Sequence, residues 1–202
     1  MARRSEHSRD ELKNLAVQAG IQLIEEKGFS GFSARAVATK MGYTVGTIYH
    51  LFGTLDEFIL HINATTLDLW YASMEHALTG TKEETTVHIL AKAYLSFAHQ
   101  HYARWSALFE HRMAEDKPLP EWYLPKMTRF FALLDHELLP HLNNNHAQTR
   151  TAGKALWAGI HGICVLALSG KLDLVKAESP ESLVMMLVDA TLAGLKHSPI
   201  QH

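Results

Sequence analysis

Apolar residues recur along almost the whole chain at helical rather than strand spacing. Leu12, Leu15, Ala16, Ala19, Leu23 and Ile24 form one stripe on a first helix. Ser33 then offers a hydroxyl to cap a second helix, on which Ala36, Val37 and Met41 make an apolar face. Gly42 stands where a chain leaving a helix needs a left-handed residue. Thr44 is placed to cap a third helix, with Ile48 and Phe52 facing inward and Tyr49 and His50 on other sides. Two short helices joined by a tight turn make a helix-turn-helix, which sets a short helix into the major groove of DNA. A longer helix begins at Thr54, with Glu57 at capping-box spacing, and carries Phe58, Ile62, Leu69 and Met74 before Thr79-Gly80. Further helices are predicted over Glu84–Gln100, His101–Ala114, Glu121–Leu139, Gln148–Leu168 and Pro180–Leu195. Breakers separate them at 117–120, 140–145 and 170–179. No stretch alternates with period two and no repeat occurs, so the expected fold is all-α.

The segment from Phe32 to Phe58 resembles the DNA-binding domain of TetR-family transcriptional regulators. The likeness rests on Lys27-Gly28-Phe29, Phe32-Ser33, Ala36-Val37-Ala38 and Met41-Gly42-Tyr43-Thr44. It continues through Gly46-Thr47-Ile48-Tyr49, Leu51-Phe52-Gly53-Thr54 and Asp56-Glu57-Phe58. A second stretch, Leu156-Trp157-Ala158-Gly159-Ile160-His161-Gly162, resembles the Trp-x-x-x-His-Gly signature of one TetR subgroup. The resemblance implies a three-helix DNA-binding head over 10–70 and a helical ligand-binding and dimerisation body over 71–202.

Composition is compatible with this. The 202 residues are 47% hydrophobic and 20% charged, as in a globular protein. No run of about 18 apolar residues suggests a membrane span. The basic N-terminus lacks the apolar core of a secretory signal. The lone Cys164 forms no intramolecular disulfide and fits a reducing cytoplasm. Net charge is −2, but Met1–Gly53 holds seven Lys or Arg against five Asp or Glu, leaving the remainder at −4. That asymmetry is mild, and the motif rather than the charge points to DNA.

Candidate DNA contacts are Ser33, Arg35, Thr44, Val45, Gly46, Thr47, Tyr49 and His50. Arginine suits bidentate contact with guanine O6 and N7, against the alternative of a solvated surface residue. The threonine hydroxyls can bond phosphate, Val45 or a threonine methyl can meet a thymine methyl, and Gly46 allows close approach. The resemblance assigns the Tyr49 hydroxyl to a phosphate. It also puts a phosphate-binding lysine where this chain has Leu55, which weakens the nonspecific electrostatic attraction.

The C-terminal part is rich in aromatic side chains, among them Trp70, Tyr94, Trp105, Trp122 and Trp157, most of them core. A ligand cavity between helices is expected to be lined by Trp105, Phe109, Phe130, Leu134, Trp157 and His161. Fourteen histidines raise a metal reading, but no H-x-x-x-H pair and no cysteine cluster occurs. Cys164, in Ile163-Cys164-Val165-Leu166, reads as a buried, inert thiol rather than a nucleophile.

The expected function is ligand-responsive transcriptional regulation without catalysis, cofactor or metal. A cytoplasmic homodimeric repressor would leave a near-palindromic double-stranded operator when a small apolar or amphipathic effector binds. The alternatives are a metal-responsive regulator of the same fold, or an all-α carrier or enzyme.

Overall fold

The computed structural model describes residues 8–80, 85–113 and 117–197. Ten α-helices and two 3-10 turns make up its regular structure, with no strand among the described residues. The helices are α1 (Arg9–Lys27), α2 (Ala34–Met41), α3 (Val45–Phe52), α4 (Leu55–Ala77), α5 (Thr86–Gln100), α6 (Tyr102–Glu110), α7 (Leu124–Leu138), α8 (His146–Leu168), α9 (Lys171–Leu174) and α10 (Pro180–His197). The 3-10 turns are Phe29–Gly31 and Leu139–Leu142. The all-α expectation holds. The helix start expected at Glu84 and the helix end expected at Ala114 lie outside the described residues, as do Arg3 and Arg4.

The described residues form two compact units. One takes those up to Asp68 together with those of Ala103–Tyr123; the other takes Leu69–Tyr102 and those from Leu124 onward. In this grouping α6 and the segment after it go with the head.

In the first unit, a complete capping box opens α1. Ser8 Oγ accepts from the Glu11 amide at 3.3 Å, and Glu11 Oε2 accepts from the Ser8 amide at 2.7 Å. The core gathers Ile24, Val37, Ile48, Phe58 and Ile62, each no more than 1% exposed, and Ala107 of α6 joins them. Leu15, counted in the first stripe, is exposed instead, while Val17 and Ile21 take the buried face with Ala16, Ala19, Leu23 and Ile24. Arg104 links α6 to this unit, with Nη1 3.8 Å from Glu25 and Nε donating to Thr66 Oγ1 at 3.3 Å.

The second unit packs α5, α7, α8 and α10 around Val87, Leu138, Leu156, Val184 and Val188. His88 joins α5 to α10. Its Nε2 donates to Asp189 Oδ1 at 2.9 Å, and its Nδ1 is hydrogen-bonded to the Thr85 hydroxyl at 2.6 Å. α8 begins at His146 rather than Gln148 because Asn145 caps it, accepting from the amides of Ala147 and Gln148. Asn143 and Asn144 precede it at φ 51° and 61°, a region asparagine tolerates. The stretch 170–179 is not wholly loop, since it contains the one-turn α9. α8 is long and apolar enough to span a membrane by length and composition, and only 22% of its apolar window is buried.

Candidate DNA-binding face and ligand body

The helix-turn-helix is built as its residues dictate. Ser33 Oγ accepts from the Ala36 amide at 3.2 Å and fixes the start of α2. Gly42 ends α2 at φ 76°, ψ 24°, a left-handed conformation that costs a residue with a Cβ about 1 kcal/mol. Thr44 holds the cap position of α3, but its hydroxyl makes no cap bond and instead lies 3.4 Å from that of Thr47. Both oxygens therefore sit together at the open start of α3, outside the backbone ladder. Ile48, Leu51 and Phe52 turn inward. Thr44, Val45, Gly46, Tyr49 and His50 stay exposed and Thr47 half-buried; Ser33 and Arg35 are exposed at the start of α2. Val45 and Tyr49 are 40% and 45% exposed, unusual for such side chains on a helix that also contributes to a core. All eight candidate contacts thus belong to the same unit and none is in its core.

The body carries a chain of touching rings. Trp70 packs against Tyr94, Phe97 and Phe130 with centroids 4.9, 5.5 and 4.7 Å away. The Tyr94 hydroxyl lies 2.8 Å from His161 Nδ1 in a hydrogen bond. Trp157 stacks on His161 at 5.6 Å and meets Phe131 edge-on at 5.4 Å. Burial holds the His161 imidazole below its usual pKa, so the neutral ring is favoured near pH 7. The indole Nε1 of Trp70, in a residue 4% exposed, has no hydrogen-bond partner among the described residues. A buried unsatisfied N–H costs about 1–3 kcal/mol and marks a place for an acceptor.

Of the six expected lining residues, Phe130, Leu134, Trp157 and His161 belong to the body, whereas Trp105 and Phe109 belong to the first unit and pack on each other at 5.2 Å. Two open clefts flank α5 within the body. One, of about 380 Å³, lies between α4 and α5 and is lined by Leu69, Ser73, Phe97 and His101 among others. The other, of about 490 Å³, is lined by Leu95, His99, Cys164, Leu168 and Glu181 among others. Burial pushes the Cys164 thiol up to about 12, which agrees with the inert reading.

Comparison with known proteins settles the family. Residues 16–62 match the model of bacterial regulatory proteins of the tetR family. Residues 87–191, just over half the chain, match the tetracyclin repressor-like C-terminal domain. The chain belongs to the TetR family. An uncharacterised helix-turn-helix-type transcriptional regulator of Mycobacterium tuberculosis, Rv0681, is 22% identical over 78% of this chain and 70% of its own length. A protein of unknown function from Rhodococcus sp. RHA1 shares the fold at TM-score 0.73 and 18% identity, covering 97% of this chain and 100% of its own. The multidrug binding protein EbrR, solved with imidazole, aligns at TM-score 0.60 and 17% identity over 97% and 99%.

As a TetR-family member the protein is a DNA-binding transcriptional regulator and not an enzyme. The matches carry the family but not the Trp-x-x-x-His-Gly subgroup. Leu55, half-buried at the start of α4, packs against the head core. Trp70 and Tyr94 were legible only as packing aromatics; the missing partner of one and the histidine beside the other appear only when the helices are assembled.

Proposed function

We propose that the protein is a homodimeric, effector-released repressor. The observation that carries this reading is the division of α3 into a buried apolar face and an exposed face of Thr44, Val45, Gly46, Tyr49 and His50. Such a helix presents its start to base edges while Ser33, Arg35 and Thr47 supply phosphate and base contacts. Two copies related by a two-fold axis would read a near-palindromic operator in the cytoplasm.

The dimer face is read from α8 and α10. Ala155, Ala158, Val165 and Leu166 are exposed along α8, and Met186, Ala190, Ala193 and Gly194 along α10. A Cβ added at Gly162 or Gly194 would meet nothing within 4 Å, so these positions leave room for a second backbone. Leu187 is a poor probe of the interface because it packs on Gly159 within the protomer. Met186, 66% exposed, is a better one. Met186→Glu should leave folding intact and weaken dimerisation by about tenfold or more, read by sedimentation at several concentrations.

The effector is assigned to the ring cluster of Phe130, Trp157 and His161, with Leu134 one turn beyond Phe130 on α7. The unmet Trp70 N–H and the neutral His161 favour a mainly apolar molecule with an acceptor oxygen or nitrogen. EbrR, of the same fold, is described as a multidrug binding protein, and a broad apolar preference is the matching expectation here. Trp105 and Phe109, which belong to the first unit, are not assigned to the effector site. A panel of apolar acceptor-bearing compounds should raise the melting temperature of wild type, and less so that of His161→Ala and Trp157→Ala. The compounds that do so should release the protein from DNA. Stabilisation equal in wild type and both variants would move the site elsewhere.

A further inference from the structure

Trp122 lies between α6 and α7, yet its indole is seated on the first turns of α4. Nε1 donates to Glu57 Oε1 at 3.0 Å, across 65 residues of sequence. The ring stacks on the His61 imidazole with centroids 4.6 Å apart and planes at 23°. His61 also meets the Phe52 ring at 5.2 Å in an edge arrangement. Phe52 is the last residue of α3, and its ring leans on Phe58 at 4.6 Å. The same inter-helix segment supplies a second grip: His111, with a side chain 7% exposed, lies 3.1 Å from Asp56. Both first-turn carboxylates of α4, Asp56 and Glu57, are thus held by residues of this segment.

The Glu57 contact displaces a local one. Thr54 Oγ1 accepts from the Glu57 amide at 3.1 Å, which is half of a capping box. The other half needs the Glu57 side chain to return to the Thr54 amide. That side chain is instead engaged by the indole, so the tertiary contact has won over the local one. Trp122 is itself 37% exposed and contributes little to the core. Its contacts are directional, and they end on the ring that closes the recognition helix.

We infer that Trp122 is a positioning residue for DNA binding, fixing the C-terminal end of α3 through Glu57, His61 and Phe52. The inference rests on reading the exposed face of α3 as the DNA-binding face. No contact between Trp122 and DNA is required.

The test measures affinity for a duplex selected from a random pool by the wild-type protein. Trp122→Ala should bind about tenfold more weakly, with its melting temperature close to wild type. Trp122→Phe keeps a ring to stack and should fall between the two. Glu57→Gln keeps an acceptor for the indole and should stay near wild type, whereas Glu57→Ala should follow Trp122→Ala. A second readout is independent of DNA. Burial lowers the His61 pKa, with Glu57 opposing that shift and Lys13 reinforcing it. The emission difference between wild type and Trp122→Phe should therefore titrate with a midpoint below the ordinary histidine value, and His61→Gln should abolish that titration. Equal DNA affinity of Trp122→Ala and wild type would overturn the inference, as would loss of affinity in step with lost folding or an emission difference without titration. Failure of wild type to select any duplex would instead overturn the DNA-binding reading beneath it.

Discussion

Arg35→Ala is expected to weaken binding to a selected operator by about 10- to 200-fold, and to weaken binding to scrambled DNA far less. The side chain stands exposed one residue beyond the start of α2, whose cap, Ser33, is itself on the surface. A guanidinium there offers a rigid donor pair, and a bidentate contact with guanine discriminates by about 1–3 kcal/mol against the wrong base. Tyr49→Phe provides the contrast. Its hydroxyl is placed for phosphate, so its loss should cost about fivefold on every sequence alike. Neither change touches the core, since both side chains are exposed, so neither should shift thermal unfolding. Mobility shifts at two salt concentrations on matched and scrambled duplexes read all of this. Uniform loss for Arg35→Ala would make it a backbone contact, and unchanged binding for both would remove them from the interface.

Phe58→Ala is expected to destabilise the protein by about 3–5 kcal/mol, a large part of the 5–15 kcal/mol typical of a domain. Phe58 is fully buried, with rings of Phe52 and Phe32 at 4.6 and 5.7 Å. Removing it leaves a void lined by rings that relax poorly. Phe109→Ala is the control, because that ring is 39% exposed and should cost much less. Urea unfolding followed by far-ultraviolet circular dichroism gives the comparison. Similar midpoints for the two variants would contradict the assignment of Phe58 to the centre of the head.

What could be read from sequence was mostly local. The Ser33 cap reaches three residues along the chain and the Gly42 terminator depends on its own backbone, so composition was enough to place both. The inward turn of Ile48 and Phe52 follows from helical periodicity and a neighbouring helix. Contacts over longer reach were not legible. Glu57 and Thr54 have capping-box spacing, yet the glutamate side chain answers to a tryptophan 65 residues away. Trp122 and Trp105 looked like body aromatics because sequence order placed them there, whereas α6 and the segment between it and α7 group with the head. The ligand lining was divided for the same reason. Leu69 fits the α4 stripe by spacing but is 39% exposed, because a stripe shows which residues share a face and not how much of that face is covered.

The only thiol of the chain, Cys164, is 1% exposed with a pKa raised to about 12. Burial thus disfavours the reactive thiolate in the closed state. An alkylating probe therefore waits for α8 to open, and the pace of labelling counts those openings in the native ensemble. The protein carries its own stopwatch for the breathing of its body, and any compound that grips that body should slow it.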